Sequence, residues 1–403
     1  MTTVWIKPAK LQINLMTASL LALWAGLAFS TALVEIAFVL ALFFFLVWKR
    51  KKKDYRIRLD PQIKLFLGFW FVAAVFSAVL SDFPSESFRG LLKMLQHVAI
   101  FWMAAEFFAE AGRRPVLETV FLLFYGVLVA DGCYQYFAGT DLLRGYMAEI
   151  MDSRPRVSAS FKSYGLFASY LISTAPFLFA LALHKTKGKK GPALWISWIL
   201  FFLACTLLFL TRSRGAVLAF GAGLFLMLIY LRKWKWLGAG IIVCTVLVTF
   251  VPKRMMIHLD QHGAEQSVVE RQVLWDRALQ VIKARPVFGT GINTYAKAHT
   301  KYDMTQNWRV RNYYAHNGYL QMAAEIGLPG LLCFVLFLLR LFAIHFRKNP
   351  QEPESARILR LGLFAGALNF LLFAMVDTVM HNAPSVMAFW YLAGLSLAYS
   401  KYP

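Results

Sequence analysis

"LVEIAFVLALFFFLVWKRKKKDYRIR", residues 33–58, runs from sixteen positions with one charged residue straight into seven basic residues in ten. An apolar run of this kind needs about 20 residues to cross the roughly 30 Å of hydrocarbon in a bilayer. Lysine and arginine collect in the cytoplasmic connections of membrane proteins. The stretch therefore reads as a membrane helix ending on the cytoplasmic side.

The pattern repeats along the chain. Of 403 residues, 59% are hydrophobic and 16% charged, a balance that excludes an ordinary soluble domain. Twelve apolar stretches are expected to span: 11–29, 31–48, 63–80, 90–108, 116–136, 162–183, 193–210, 215–231, 236–252, 328–346, 359–376 and 384–400. The fold class is all-α, a polytopic membrane bundle. The first apolar segment continues into a second and reads as a retained helix pair rather than a cleaved signal. Three parts follow: a bundle over 1–252, a large loop over 253–327, and closing spans over 328–403.

Counting outward from 49–58, alternation puts "GRRP" (112–115), "HKTKGKK" (184–190), "RKWK" (232–235) and "HFRKNPQEPESAR" (345–357) on the same side. All are basic or mixed, so both termini are expected in the cytoplasm. The opposite face receives 81–89, 137–161, "TRSRG" (211–215), 253–327 and "DTVMHNAP" (377–384). Between Lys253 and Ala315 stand ten Lys or Arg against five Asp or Glu. A basic loop on that face runs against the usual bias, and an anionic ligand explains it. The net charge of +22 needs no nucleic acid, because cytoplasmic loops hold much of it. Cys133, Cys205, Cys244 and Cys333 form no CxxC pair, so neither a disulfide framework nor a zinc site is indicated.

Within the large loop, Val268, Val269, Val273, Leu274, Ala278, Val281 and Ile282 recur at helical spacing. Arg271, Arg277 and Lys283 are expected on the polar faces, and the helix could equally lie on lipid. "RPVFGTGINTY" (285–295) follows, with Pro286 ending the helix and Gly289 and Gly291 permitting a tight turn near a ligand. Residues 317–325 predict a short helix, broken by "GLPG" before the next span.

Several side chains could carry chemistry. Arg212 and Arg214 crowd a short connection between spans, where cations need water, phosphate or a carboxylate. Arginine's planar fork suits phosphate oxygens, and snorkelling to headgroups is the plainer account. Arg89, Arg154, Arg156, Arg309, Arg311 and Asp377 stand at span edges or in the same loops. His316 is either a hydrogen-bonding loop residue or a general base, since imidazole can take a hydroxyl proton near neutral pH. No HExxH and no metal-spaced Asp/His cluster occurs in the sequence.

"TRSRGA" (211–216), "ERQVLWDRALQVIKARPVFGTGINTY" (270–295) and "YAHNGYLQMAAEIGLPGLL" (314–332), in that order, resemble the O-antigen ligase family of the polysaccharide polymerase/ligase superfamily. "SFKSYGLFASYL" (160–171) departs from the superfamily's commoner pattern. The resemblance implies a fold of the lipid-linked-sugar (GT-C-like) glycosyltransferase kind in the bacterial inner membrane. It implies transfer of a glycan from undecaprenyl pyrophosphate to lipid A-core oligosaccharide at the periplasmic face, with no metal or other cofactor. His316 matches the family's histidine as base and Arg214 its Ser-Arg-Gly arginine. A pyrophosphate-binding arginine of the loop matches Arg271 or Arg285. An O-antigen polymerase, with a second lipid-linked glycan as acceptor, is the neighbouring alternative. A protein O-oligosaccharyltransferase commonly has a larger C-terminal portion. A transporter or flippase would instead place ionisable residues deep within its spans.

Overall fold

The computed structural model describes residues 8–151, 154–185, 191–250, 261–302, 314–347 and 349–400, with the side chains of 8–10, 151, 154, 185, 243–250, 261–268 and 302 left aside. The helices are α1 (Pro8–Phe29), α2 (Thr31–Lys51), α3 (Pro61–Val79), α4 (Pro84–Phe107), α5 (Arg114–Ala138), α6 (Tyr164–Lys185) and α7 (Pro192–Leu210). They continue as α8 (Arg214–Tyr230), α9 (Trp234–Phe250), α10 (Gln261–Ala284), the single turn α11 (Tyr295–Ala298), α12 (Gly318–Phe346), α13 (Glu354–Phe373) and α14 (Ala383–Ser400). A helix lies at each of the twelve apolar stretches. Among the described residues, eight helices, α1, α2, α3, α5, α6, α7, α12 and α13, are long and apolar enough to cross a membrane by length and composition. The protein is thus an all-α, multi-pass membrane protein. The connection expected as plain loop over 137–161 holds a small antiparallel hairpin, β1 (Glu149–Met151) with β2 (Arg154–Arg156).

The centre of the bundle follows from a proline. Pro176 inside α6 has no N–H to give the carbonyl of Ile172, and hydrocarbon offers no water in its place. Asn369 of α13 supplies the donor, its Nδ2 lying 2.8 Å from Ile172 O. Gly362 and Gly366 make that approach possible: a Cβ on Gly366 would sit 1.8 Å from Ser173 O, and one on Gly362 2.3 Å from the Ala180 methyl. Small residues one turn apart let two helix backbones touch. Gly223 of α8 leaves room for the same asparagine.

Ion pairs gather one set of connections at one end of the bundle. Lys49 binds Glu106 at 2.8 Å, Lys52 binds Glu110, Lys233 binds Glu354 at 2.7 Å, and Arg340 binds Asp60. These loops are among those placed together by charge alternation. At the other end, Arg285 meets Asp82, Arg156 meets Thr211, and Gly318 donates to Ala374 O.

Expected helix 317–325 and the following span form α12, broken where Gly327 takes φ 76° and ψ 170°. The carbonyls freed at the break are answered by the glycine loop. Thr290 N donates to Ala324 O, Gly291 N to Glu325 O, and Leu328 N to Pro286 O. The loop's glycines therefore approach the protein itself, Gly289 the α12 backbone and Gly291 the Ser81 and Ser87 hydroxyls. A Cβ on Gly289 would meet Glu325 O at 2.3 Å.

Candidate functional site

Three chain segments converge at the second end of the bundle. In the first, α7 stops at Thr211 and the reversal is made by Arg212, at φ 54°, rather than by the neighbouring glycine. Gly215 instead seats the start of α8 against α13, since a Cβ there would lie 3.1 Å from Val376 and 3.3 Å from Phe373. Arg156 braces the turn: its guanidinium lies 3.2 Å from the Tyr164 ring centre and its Nε donates to Thr211 O at 3.2 Å. Arg214, the first residue of α8, is exposed, and among the described residues nothing engages its guanidinium. Arg212 is half-buried beside it.

The second segment carries His316, at φ 46°. A non-glycine residue in the left-handed region is uncommon and is held there by its surroundings. Ala315 before it is buried, and Asn317 after it caps α12, its Oδ1 accepting from Tyr319 N and Leu320 N at 3.0 Å. Gly318 N donates to Ala374 O at 2.8 Å and Tyr319 Oη to Leu371 O at 3.0 Å, which pins this corner to the end of α13. Asp377 follows that end, its Oδ1 accepting from Thr378 N at 2.6 Å.

The third segment is α10. Ala278, Val281 and Ile282 bury against Ala315, Ala323 and Ala324, forming a small second core, and Leu274 is buried one turn earlier. Over this part the apolar seam covers protein, not lipid. Arg277, expected on a polar face, is 3% exposed in that packing. Arg271 lies near enough for its charge to act on the histidine. Burial lowers the proton affinity of His316, Asp377 raises it, Arg271 lowers it and Glu270 raises it. His316, Asp377 and Arg271 thus come together, with Glu270 as a fourth member that sequence reasoning missed. Among the described residues, no group of three or more His, Cys, Asp or Glu is placed to hold a metal ion.

Other candidates lie elsewhere. Arg285 pairs with Asp82 at 3.3 Å, and Lys301 reaches the same carboxylate at 2.8 Å. Hydrogen bonding from Lys301, then the charge of Arg285, holds the Asp82 carboxyl below its ordinary range. Lys297 pairs with Glu86. Arg89 is exposed on α4, near Glu86. Arg154 keeps its backbone place in β2, its side chain outside the described ones, and Arg309 and Arg311 lie outside the described residues.

A pocket of about 130 Å³ opens beside the convergence, between α3, α4, α12 and α14. Gly318 and Thr378, neighbours of the His316 and Asp377 segments, line it together with Lys93, His97, Gln321 and His381. Tyr314 packs on His381 with ring centres 4.0 Å apart, and burial brings the His381 imidazole down to about 4. Lys93 and His97 were not singled out from the sequence. Their signal was there: two polar residues one helical turn apart in "LLKMLQHVAIFW" (91–102).

The chain is similar in sequence to known proteins. An uncharacterised protein of Haemophilus influenzae is 24% identical over 241 residues, 54% of this chain and 60% of that protein. The exopolysaccharide production protein ExoQ of Rhizobium meliloti is 23% identical over 331 residues, 77% of this chain and 72% of ExoQ. Residues 199–335, which include Arg212, Arg214, Arg271, Arg285 and His316, match the family described as O-Antigen ligase. Over that stretch, the chain is similar to the O-antigen ligase family.

Proposed function

We propose that the protein transfers a glycan from undecaprenyl pyrophosphate to lipid A-core oligosaccharide at the periplasmic face of the bacterial inner membrane. The observation that carries the reading is the meeting of His316, Asp377 and Arg271 beside the exposed Arg214. In this reading twelve spans form a GT-C-like bundle over 1–252 and 328–403, with both termini cytoplasmic and the 253–327 loop holding catalytic elements. Membrane lipids surround it, and it needs no cofactor or nucleic acid.

The acceptor hydroxyl oxygen attacks the anomeric carbon of the donor sugar. Its proton passes to the neutral imidazole of His316, which Asp377 steadies as charge develops. The bond from that carbon to the pyrophosphate oxygen breaks, and its electron pair leaves with the pyrophosphate. Arg214 and Arg271 offset the growing negative charge, an effect worth more in a partly dry site than in water. A single displacement inverts the anomeric centre, without a metal. Arg285 and Arg89 take no part in the chemistry, because Asp82 and Glu86 occupy that corner.

The likeness to ExoQ favours a second reading, a polymerase whose acceptor is another lipid-linked glycan. Purified protein reconstituted with undecaprenyl-pyrophosphate glycan, and offered either acceptor, decides between the two. Joining to neither acceptor would overturn both. Retention at the anomeric carbon, read by NMR of donor and product, would overturn the single displacement.

A further inference from the structure

Trp70 of α3 and His97 of α4 both line the pocket, and each has a buried ring nitrogen, Nε1 and Nε2, without a hydrogen-bond partner among the described residues. Trp70 is only 6% exposed. A buried polar atom left without its hydrogen bond is costly, so two on one pocket wall point to a ligand that completes them. The rings beside them form an aromatic floor. Phe334 lies 5.3 Å and Trp390 5.7 Å from Trp70, centre to centre. Gln321 and His381, 3.4 Å apart, add neutral polar groups.

Three ligand chemistries can be compared. An isoprenoid or acyl chain would cover the floor and leave both nitrogens unpaired. A phosphate would find one cation, Lys93, with the Glu325 carboxyl on the same lining, and neither Arg214 nor Arg271 lines the pocket. A sugar ring meets both demands, laying its C–H face on the aromatic rings and its hydroxyls against neutral donors and acceptors. Resting on the transfer reading above, we propose that this pocket is the acceptor subsite and binds a neutral sugar ring beside His316, apart from the arginines that face the donor.

Detergent-purified full-length protein is titrated calorimetrically with oligosaccharide released from a lipopolysaccharide core and, separately, with farnesyl phosphate. Trp70→Phe and His97→Phe each leave an aromatic ring in place and remove the ring nitrogens. Each should weaken saccharide binding about tenfold and leave farnesyl phosphate binding unchanged, the loss expected for one hydrogen bond. In the unsubstituted protein, the saccharide should slow hydrogen exchange over residues 318–326. That arm holds even where a variant fails to fold. His316→Ala, silent in transfer, should still bind the saccharide, which separates this proposal from the catalytic one. No saccharide binding, parent-like saccharide binding by the variants, no slowing of exchange, or a loss of farnesyl phosphate affinity instead would each overturn the sugar subsite.

Discussion

Asp377 raises the proton affinity of His316, while burial and the charge of Arg271 lower it, and the lowering wins. The histidine is consequently held neutral at physiological pH, the form that can accept a proton.

The pH profile of transfer should reflect that balance. With its pKa below the ordinary 6.5, His316 is neutral through pH 7. The midpoint of the acid limb, where the imidazole takes a proton, should lie below the ordinary 6.5. Asp377→Asn removes a raising charge and should move the acid limb lower. Arg271→Gln removes a lowering charge and should move it higher. His316→Ala should cost on the order of 10²–10⁴ in turnover and abolish the limb. Initial rates between pH 4.5 and 8 check all three, and near-normal turnover by His316→Ala would dismiss it as the base.

Arg214 should matter as a fork as well as a charge. Arg214→Ala is expected to lower turnover by about 10²–10³, and Arg214→Lys should recover only part of it, because an ammonium cannot bind two oxygens in one plane. Arg285→Ala should stay within a few-fold of the parent, since Asp82 already engages that side chain. Single-turnover rates of the three variants provide the comparison. A deeper loss for Arg285→Ala than for Arg214→Ala would reverse the assignment.

Asp82 ties the glycine loop to the corner between α3 and α4 through Arg285 and Lys301. Its carboxyl titrates below the ordinary 3.8. The stabilising contribution is therefore present above pH 3.8 and lost as pH falls through the depressed value. Between pH 5 and 8 the tie should not vary. Asp82→Asn or roughly 1 M salt, which shortens screening to about 3 Å, should speed hydrogen exchange over 285–302. Exchange unchanged by both would remove the tie.

Gly366→Ala should be among the most damaging single-methyl changes, with its Cβ driven to 1.8 Å from Ser173 O. Overpacking costs about 1–3 kcal/mol, and separating the helices would also strand Ile172 O. Asn369→Leu keeps the volume and removes the donor, costing about 1–3 kcal/mol. Thermal unfolding in detergent should show both variants well below the parent. A Gly366→Ala protein that melts with the parent would contradict the contact.

How much could be read beforehand varies with the kind of force involved. Apolar runs and basic loops made a multi-pass helical protein legible from composition, because the membrane imposes length and apolarity on each segment separately. The break at Gly327 was legible for a similar reason: Gly-Leu-Pro-Gly cannot continue a helix whatever surrounds it. His316, Arg214 and Asp377 could be picked out as polar residues at span ends. Their roles could not, since the partners arrive from distant segments. Tertiary structure decided that the charge of Arg271 acts on the histidine while Arg285 goes to Asp82, although both belong to the same basic loop. It also buried Arg277, turned the Gly289 and Gly291 loop onto the end of the α12 break, and set His97 beside Trp70 in one pocket. Period and hydropathy are properties of one segment, and these pairings depend on how helices far apart in the chain pack.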